Sequence, residues 1–224
     1  GDGQEIANAT GIMTINDFRS EDVSKGGQGA PLVPIGDRHL FADYPICLNI
    51  GGIANVSYEM NGKRIAYDIC MANQLLNYLA NKLGYDYDKN GQFAKRGNIN
   101  KVLFEILNDN EYYKHDAPKS LGREFFENVQ HKVIDESSLP VYDLLATATE
   151  HIAYQIAKSV DVIDKSKMLV TGGGAKNDFL IERICALSKH EIIVPDVMIT
   201  DYKEALIFAF LGVLKMEGKI NVLS

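Results

Sequence analysis

Two apolar, β-branched runs in this chain end in glycines, and together they restrict the fold more than any other feature. In "CLNIGGIANVSY" (47–58) a strand pattern meets Gly51-Gly52 and then resumes. In "KMLVTGGGAKNDFL" (167–180) a strand pattern meets Gly172-Gly173-Gly174 and passes into a helix pattern. A hydrophobic core does not need paired glycines in mid-run, whereas a backbone that must approach a phosphate or a flat ring does. The first run is not a dinucleotide fingerprint, because that needs a helix directly after the glycines. Here another β-branched run and an Asn61-Gly62 hairpin signal follow. No GKS or GKT occurs, so a Walker A loop is excluded. What remains is a hairpin bend whose amides can hold an anion, or a bulge that eases hairpin twist. The second run has the strand–glycine–helix order of an anion-binding helix start; the alternative is a tight turn, which needs only one glycine. Two such turns on separate strands point to one nucleotide held between them.

The rest of the chain reads as α/β. Residues 4–9 suggest a short helix and 11–18 a strand that ends on Asp17; 20–37 is a Gly- and Pro-rich loop. Residues 45–60 and 63–69 read as strands. In 70–84, Ala72, Leu75, Leu76, Leu79 and Leu83 share a helical face and Gly84 is a stop signal. Further helices are expected near 100–109 and 121–131, a long one over 139–163, a strand in "HEIIVPD" and a final helix over 200–218 capped by Thr200 or Asp201.

Composition serves mainly to exclude. The net charge of −7 argues against nucleic acid or an anionic membrane as partner. The three cysteines, Cys47, Cys70 and Cys185, are far apart and form no CxxC pair, so a disulfide framework and a zinc site are disfavoured and a cytoplasmic location fits. The histidines form no HExxH, and no apolar run approaches the ~18 residues of a membrane span.

Among titratable groups, Asp17 sits where an apolar run meets the glycine-rich loop, in "INDFRSED" with Arg19, Glu21 and Asp22. A carboxylate there is a candidate general base; the alternative is a loop cap or half of a salt bridge. Asp68 is a polar contact or the N-cap of the following helix. Lys119 and Arg123 belong to a solvated helix start, and His151 is expected at the surface or its boundary, with no role.

Taken together, "TGIMTINDFRSEDVSKGGQGAPLVPIGD", "LNIGGIANVS", "YDKNGQFAKRGN", "PKSLGREFF" and "LVTGGGAKNDFL", in this order, resemble the anhydro-N-acetylmuramic acid kinases, members of the sugar kinase–actin–heat-shock ATPase superfamily. The resemblance covers nearly the whole chain. It implies an actin-like (ribonuclease H-like) α/β lobe, with 1–44 as the end of an N-terminal lobe plus interlobe catalytic loop and 45–224 as the C-terminal lobe. It implies ATP and Mg²⁺ as cofactors, the metal ligands being unassigned. Gly51, Gly52 and Asn55 correspond to the second phosphate-binding hairpin; Gly172, Gly173, Gly174 and Asn177 correspond to the adenosine motif. Asp17 matches the catalytic aspartate, and Arg19 and Glu204 lie on the sugar side.

The implied reaction has Asp17 take a proton from water, which attacks the anomeric carbon and opens a 1,6-anhydro bridge. The departing O6 then takes the γ-phosphoryl group. The partner is a small amino sugar, the product N-acetylmuramic acid 6-phosphate from cell-wall recycling, and a homodimer is an option. Two departures stand out. Cys70-Met71-Ala72-Asn73 replaces the family's Gly-Pro-Gly-Asn run, which questions a local sugar or phosphate contact. The family's first phosphate hairpin, Gly-Thr-Ser with a following Asp-Gly, is expected well upstream and does not occur here. The alternatives are a non-catalytic nucleotide-binding fragment and a superfamily kinase acting on another sugar.

Overall fold

A five-stranded sheet organises the larger of two units in this computed structural model, which describes residues 2–24, 26 and 31–222. One unit comprises Gly1–Ala42 with Tyr202–Ser224, the other Asp43–Asp201. The boundary after Ala42 lies two residues from the expected one, and the C-terminal residues from Tyr202 group with the first unit.

The first unit opens with α1 (Gly3–Thr10), where Asp2 accepts from the amides of Gln4 (2.8 Å) and Glu5 (3.3 Å), a side-chain N-cap. Gly11, at φ 69°, ends it. The strand expected over 11–18 does not form: 13–17 have no regular structure, and Ile12 and Met13 are 68% and 76% exposed. An apolar strand pattern becomes a strand only beside another strand, and among the described residues of this unit none exists. The chain continues into α2 (Ser20–Ser24) and α3 (Pro34–Leu40), the latter begun by Pro34, whose missing amide hydrogen costs nothing in a first turn. Gly36 lets α3 lie close to the C-terminal helix, since a Cβ there would sit 2.5 Å from Ile207.

The second unit carries β1 (Ile46–Ile50), β2 (Ile53–Met60) and β3 (Lys63–Met71), an antiparallel meander. The run 45–60 is thus two strands folded back at Gly51-Gly52. The second turn is the expected hairpin, with Asn61 at φ 52° and Gly62 at φ 75°, the left-handed pair that a two-residue turn between twisted strands requires. Next come α4 (Asn73–Asn81), α5 (Lys101–Asn108) and an interrupted helix of α6 (Arg123–Phe125), a π-helical stretch (Phe126–Gln130) and α7 (His131–Asp135). The long α8 (Val141–Val160) leads to β4 (Lys167–Thr171), α9 (Asp178–Leu187) and β5 (Glu191–Ile193). Strand order is β3-β2-β1-β4-β5, with β4 parallel to β1 and β5 parallel to β4.

The core lies around the middle of this sheet. Ile46, Leu48 and Ile50 of β1, Met168 and Val170 of β4, Leu75 and Leu79 of α4, and Leu145, Ile152 and Ile156 of α8 are all out of water. Each such side chain contributes roughly 1.5–3 kcal/mol by burial. Cys47, on the opposite face of β1, is buried too, so the central strand is covered on both faces. The last helix, α10 (Val197–Met216), starts earlier than expected. Its start is capped by Asp196, whose carboxylate accepts from the Ile199 amide (3.1 Å), and Thr200 lies inside it, its hydroxyl donating to the Pro195 carbonyl. No helix of the described residues is long and apolar enough to cross a membrane.

Candidate nucleotide site and catalytic residues

Because β1 and β4 are parallel neighbours, with Asn49 opposite Thr171, their carboxyl ends lie side by side. That juxtaposition brings together two glycine turns about 120 residues apart. Carboxyl ends of adjacent parallel strands are where open α/β sheets bind ligands.

The first turn is held from one side. Gly51 N–H donates to the Ile53 carbonyl (3.2 Å). The Gly52 carbonyl accepts from the amides of Ala72 (2.8 Å) and Gln74 (3.2 Å), and the Gly51 carbonyl from that of Asn73 (3.1 Å). The start of α4 is therefore occupied by the turn itself. Nothing in the geometry demands glycine at these two positions. Neither has a positive φ. A Cβ on Gly51 would meet only ordinary contacts at 3.5 Å and 3.6 Å, and one on Gly52 only Gln74 Cβ at 3.9 Å. The irregularity in the sheet is elsewhere, between Ala54 and Asn55 in the pairing with β3. Asn55 lies beside it, opposite Asn49 of β1 and Asp68 of β3.

The second turn divides differently. Gly172 has φ +85°, and a Cβ there would fall 2.6 Å from Asn49 Oδ1 and 2.8 Å from the Ile50 carbonyl oxygen. A Cβ on Gly174 would fall 2.2 Å from Ile50 Cγ2. These two glycines let β4's turn lie against the end of β1. Gly173 has no such constraint: the nearest atom is Asn73 Nδ2, at 3.5 Å. Gly51, Gly52 and Gly173 are thus glycines without a packing or conformational reason, at adjacent turns. Asn177 Oδ1 caps α9 by accepting from Leu180 N–H (3.0 Å). Gly172 N–H donates to the Thr200 carbonyl (3.3 Å), and Lys176 pairs with Asp201 at 2.5 Å, so the start of α10 is fastened to the same turn. Asn49 was not singled out from sequence, where the one available signal was an asparagine inside a buried β-branched run, in which that residue type is depleted; Asn73 entered there only as the last residue of the Cys70–Asn73 run.

Asp68 is not a helix cap. Its Oδ2 accepts from Leu121 N–H (2.9 Å), its amide donates to the Lys119 carbonyl (3.2 Å), and its own carbonyl accepts from Tyr112 OH. It fastens "PKSLG" along β3, and burial, opposed by the Leu121 amide, raises its pKa. Lys119 is not a freely solvated helix residue either. Its ammonium donates to the carbonyls of Tyr112 (3.2 Å) and His115 (2.9 Å), and burial lowers its pKa. His151, expected at the boundary, is fully buried. Its Nδ1 donates to Asn108 Oδ1 (2.9 Å), an oxygen that also accepts from Gln155, so Nε2 is left bare as the acceptor facing Tyr113 OH (3.3 Å) and Gln130 Nε2 (3.4 Å). Burial pushes its pKa down to about 3.

In the first unit Asp17 is exposed and has φ 55°, a conformation in which few non-glycine residues are found and which clusters at functional sites. Its Oδ1 accepts from Ser20 N–H (3.2 Å), which starts α2. Hydrogen bonds from the Ser20 side chain and backbone hold its carboxyl below the usual range, so it is ionised at neutral pH. Phe18 packs edge-on against Phe208 at 5.8 Å. Phe208 lies one turn beyond Glu204 on the same face of α10, so the Asp17 segment reaches the face that carries Glu204, itself exposed. Arg19 is exposed in the turn between Asp17 and α2. Residues 27–30 of "GGQGAPLVP" (26–34), and residue 25 before it, lie outside the described residues.

A family model described as anhydro-N-acetylmuramic acid kinase matches residues 1–221. Curated relatives of that name include one from Vibrio cholerae, 37% identical over 97% of this chain and 62% of its own length. Another, from Gloeobacter violaceus, is 36% identical over 97% of this chain and 62% of its own length. The chain thus spans about three-fifths of these relatives. Among solved structures it is similar to an activator of 2-hydroxyisocaproyl-CoA dehydratase from Clostridium difficile with bound ADPNP, with a TM-score of 0.52 and 19% identity over 86% of this chain and 69% of that one. At that identity the likeness concerns the fold alone, an actin-like lobe with a mixed sheet flanked by helices.

Proposed function

Since the chain belongs to the anhydro-N-acetylmuramic acid kinase family, we propose that it forms the nucleotide-binding and base-bearing part of an ATP-dependent kinase that opens the 1,6-anhydro bond of 1,6-anhydro-N-acetylmuramic acid and phosphorylates O6. The observation that carries the reading is the bare surface at Gly51, Gly52 and Gly173, where a Cβ would clash with nothing in the protein. With no packing reason for glycine at these positions, keeping them free of a Cβ leaves room for a nucleotide. Gly51 and Gly52 are assigned to its phosphates with Asn55 beside them, and Gly172 to Gly174 to its adenosine side, with Asn177 holding the helix behind them.

Asp17 is assigned as the general base. Its carboxylate is ionised and open to solvent, as a proton acceptor for water must be. Water loses its proton to Asp17 and bonds to the anomeric carbon. The C1–O6 bond breaks with its electron pair on O6, which bonds to the γ-phosphorus as the bond to the ADP oxygen breaks. Arg19 and Glu204 are assigned to the sugar. Mg²⁺ would neutralise phosphate charge. Its ligands in this chain stay unassigned. The enzyme is read as cytoplasmic and the homodimer as an option.

The test is reaction of the complete protein carrying this sequence with ATP and the anhydro-sugar in ¹⁸O-labelled water. Early label on the anomeric hydroxyl, with none in the phosphate ester, is expected, because the ester oxygen is the former bridge. Label in the ester would place water's attack elsewhere and end this mechanism; phosphorylation of only an already open sugar would favour a simple hydroxyl kinase.

A further inference from the structure

We propose that Asn73 is a phosphate-side positioning residue: its carboxamide holds the β1–β2 turn and faces the phosphates of a nucleotide lying between the two glycine turns. The proposal rests on the nucleotide reading above and adds a residue to it.

The observations begin with the departure from the family pattern. Cys70, Met71 and Ala72 are all fully buried. Cys70 and Met71 are strand residues, opposite Ala54 and Ile53 of β2. The segment that glycines would have left bare is therefore closed by side chains and sheet pairing, and it offers a ligand neither backbone nor side chain. The next residue differs. Asn73 is half-buried, its amide donates to the Gly51 carbonyl at 3.1 Å, and its Nδ2 donates to the Ile50 carbonyl at 3.1 Å. The same Nδ2 lies 3.5 Å from where a Gly173 Cβ would sit. One residue therefore holds the first glycine turn through its backbone amide and the end of β1 through its carboxamide, which also borders the open space over Gly173.

The residue type matters at this point. A carboxamide can donate to Ile50 and keep a second N–H for an anion. A carboxylate cannot donate, would face the Ile50 carbonyl oxygen with a negative charge, and would repel phosphates. Asn73→Asp is nearly the same shape, so its effect reports charge at this place.

The experiment is an NMR titration of the ¹⁵N-labelled chain with adenosine, ADP and ATP, for the unaltered sequence, Asn73→Asp and Asn73→Ala. In the unaltered chain the Asn73 side-chain NH₂ signal is expected to shift with ADP and ATP and to stay still with adenosine. With Asn73→Asp, adenosine affinity is expected to hold, ADP affinity to fall about threefold and ATP affinity about tenfold, the graded loss of a like-charge contact in a partly solvated site. That loss should shrink as salt is raised. Equal losses for all three ligands would reduce Asn73 to a role in folding. If Asn73→Asp does not fold, the NH₂ signal of the unaltered chain still decides: glycine amides that shift beside an unmoved Asn73 signal leave the nucleotide reading standing and remove this assignment. No shift at Gly51, Gly52 or Gly173 with any ligand would overturn the nucleotide reading, and this assignment with it.

Discussion

Lys203 Nζ lies 2.7 Å from Asp37 Oδ1, with the two side chains only 7% and 5% exposed. The pair ties α3 to α10 one residue before Glu204. Removing one partner of a buried ion pair leaves the other charge out of water, which typically costs about 3–5 kcal/mol, whereas replacing both by apolar groups is often nearly neutral. Lys203→Met is therefore expected to lower unfolding free energy by roughly that amount, and Lys203→Met with Asp37→Leu by less than the single change. Urea denaturation measures both. A single-variant loss under about 1 kcal/mol would mean that the pair is solvated and does not organise this unit.

The glycines of the second turn can be separated experimentally. Gly174→Ala puts a methyl group against Ile50 and is expected to cost about 1–3 kcal/mol of stability. Gly173→Ala meets no close atom, so it should leave the melting temperature nearly unchanged and weaken nucleotide binding. Thermal unfolding and nucleotide titration on the same two variants test this. Unchanged affinity in a folded Gly173→Ala protein would mean that the bare surface is not used.

Asp17→Asn should be tolerated by the fold, because Asn readily adopts a left-handed conformation and can still accept from Ser20. Turnover by the complete protein is expected to fall about 10²–10⁴-fold, the range of a lost general base, with nucleotide binding retained. Near-normal turnover would remove Asp17 from the mechanism.

His151 makes a pH prediction. Its pKa is about 3 in the folded chain against 6.5 for the free side chain. Between those values the unfolded chain takes up a proton that the folded one refuses. Stability is therefore present in full above about pH 6.5 and lost as pH falls toward 3, by up to about 1.4 kcal/mol per pH unit. The groups facing the ring, Asn108, Tyr113 and Gln130, stay uncharged over this window and do not offset the loss. Urea titrations from pH 7 to 4 should show a shallower slope for His151→Gln than for the unaltered chain. Parallel slopes would mean that the ring is protonated in the folded state.

What local chemistry governs was legible in the sequence: the Asn61-Gly62 hairpin, the leucine face of α4, the long α8, the strand–glycine–helix order around Gly172, and an α/β chain. These follow from backbone conformation and from periodicities of two and 3.6 residues, which neighbouring residues alone impose. The tertiary structure decided everything that depends on a partner distant in sequence. The pairing of β1 with β4 set the two glycine turns side by side and separated Gly172 and Gly174, which packing requires, from Gly51, Gly52 and Gly173, which it does not. It buried His151 beneath residues of α5 and the π-helical stretch, and turned Asp68 toward Leu121 rather than a helix end. The apolar alternation of 11–18 did not become a strand, because a strand is completed by hydrogen bonds to a neighbour, and no local pattern contains that neighbour.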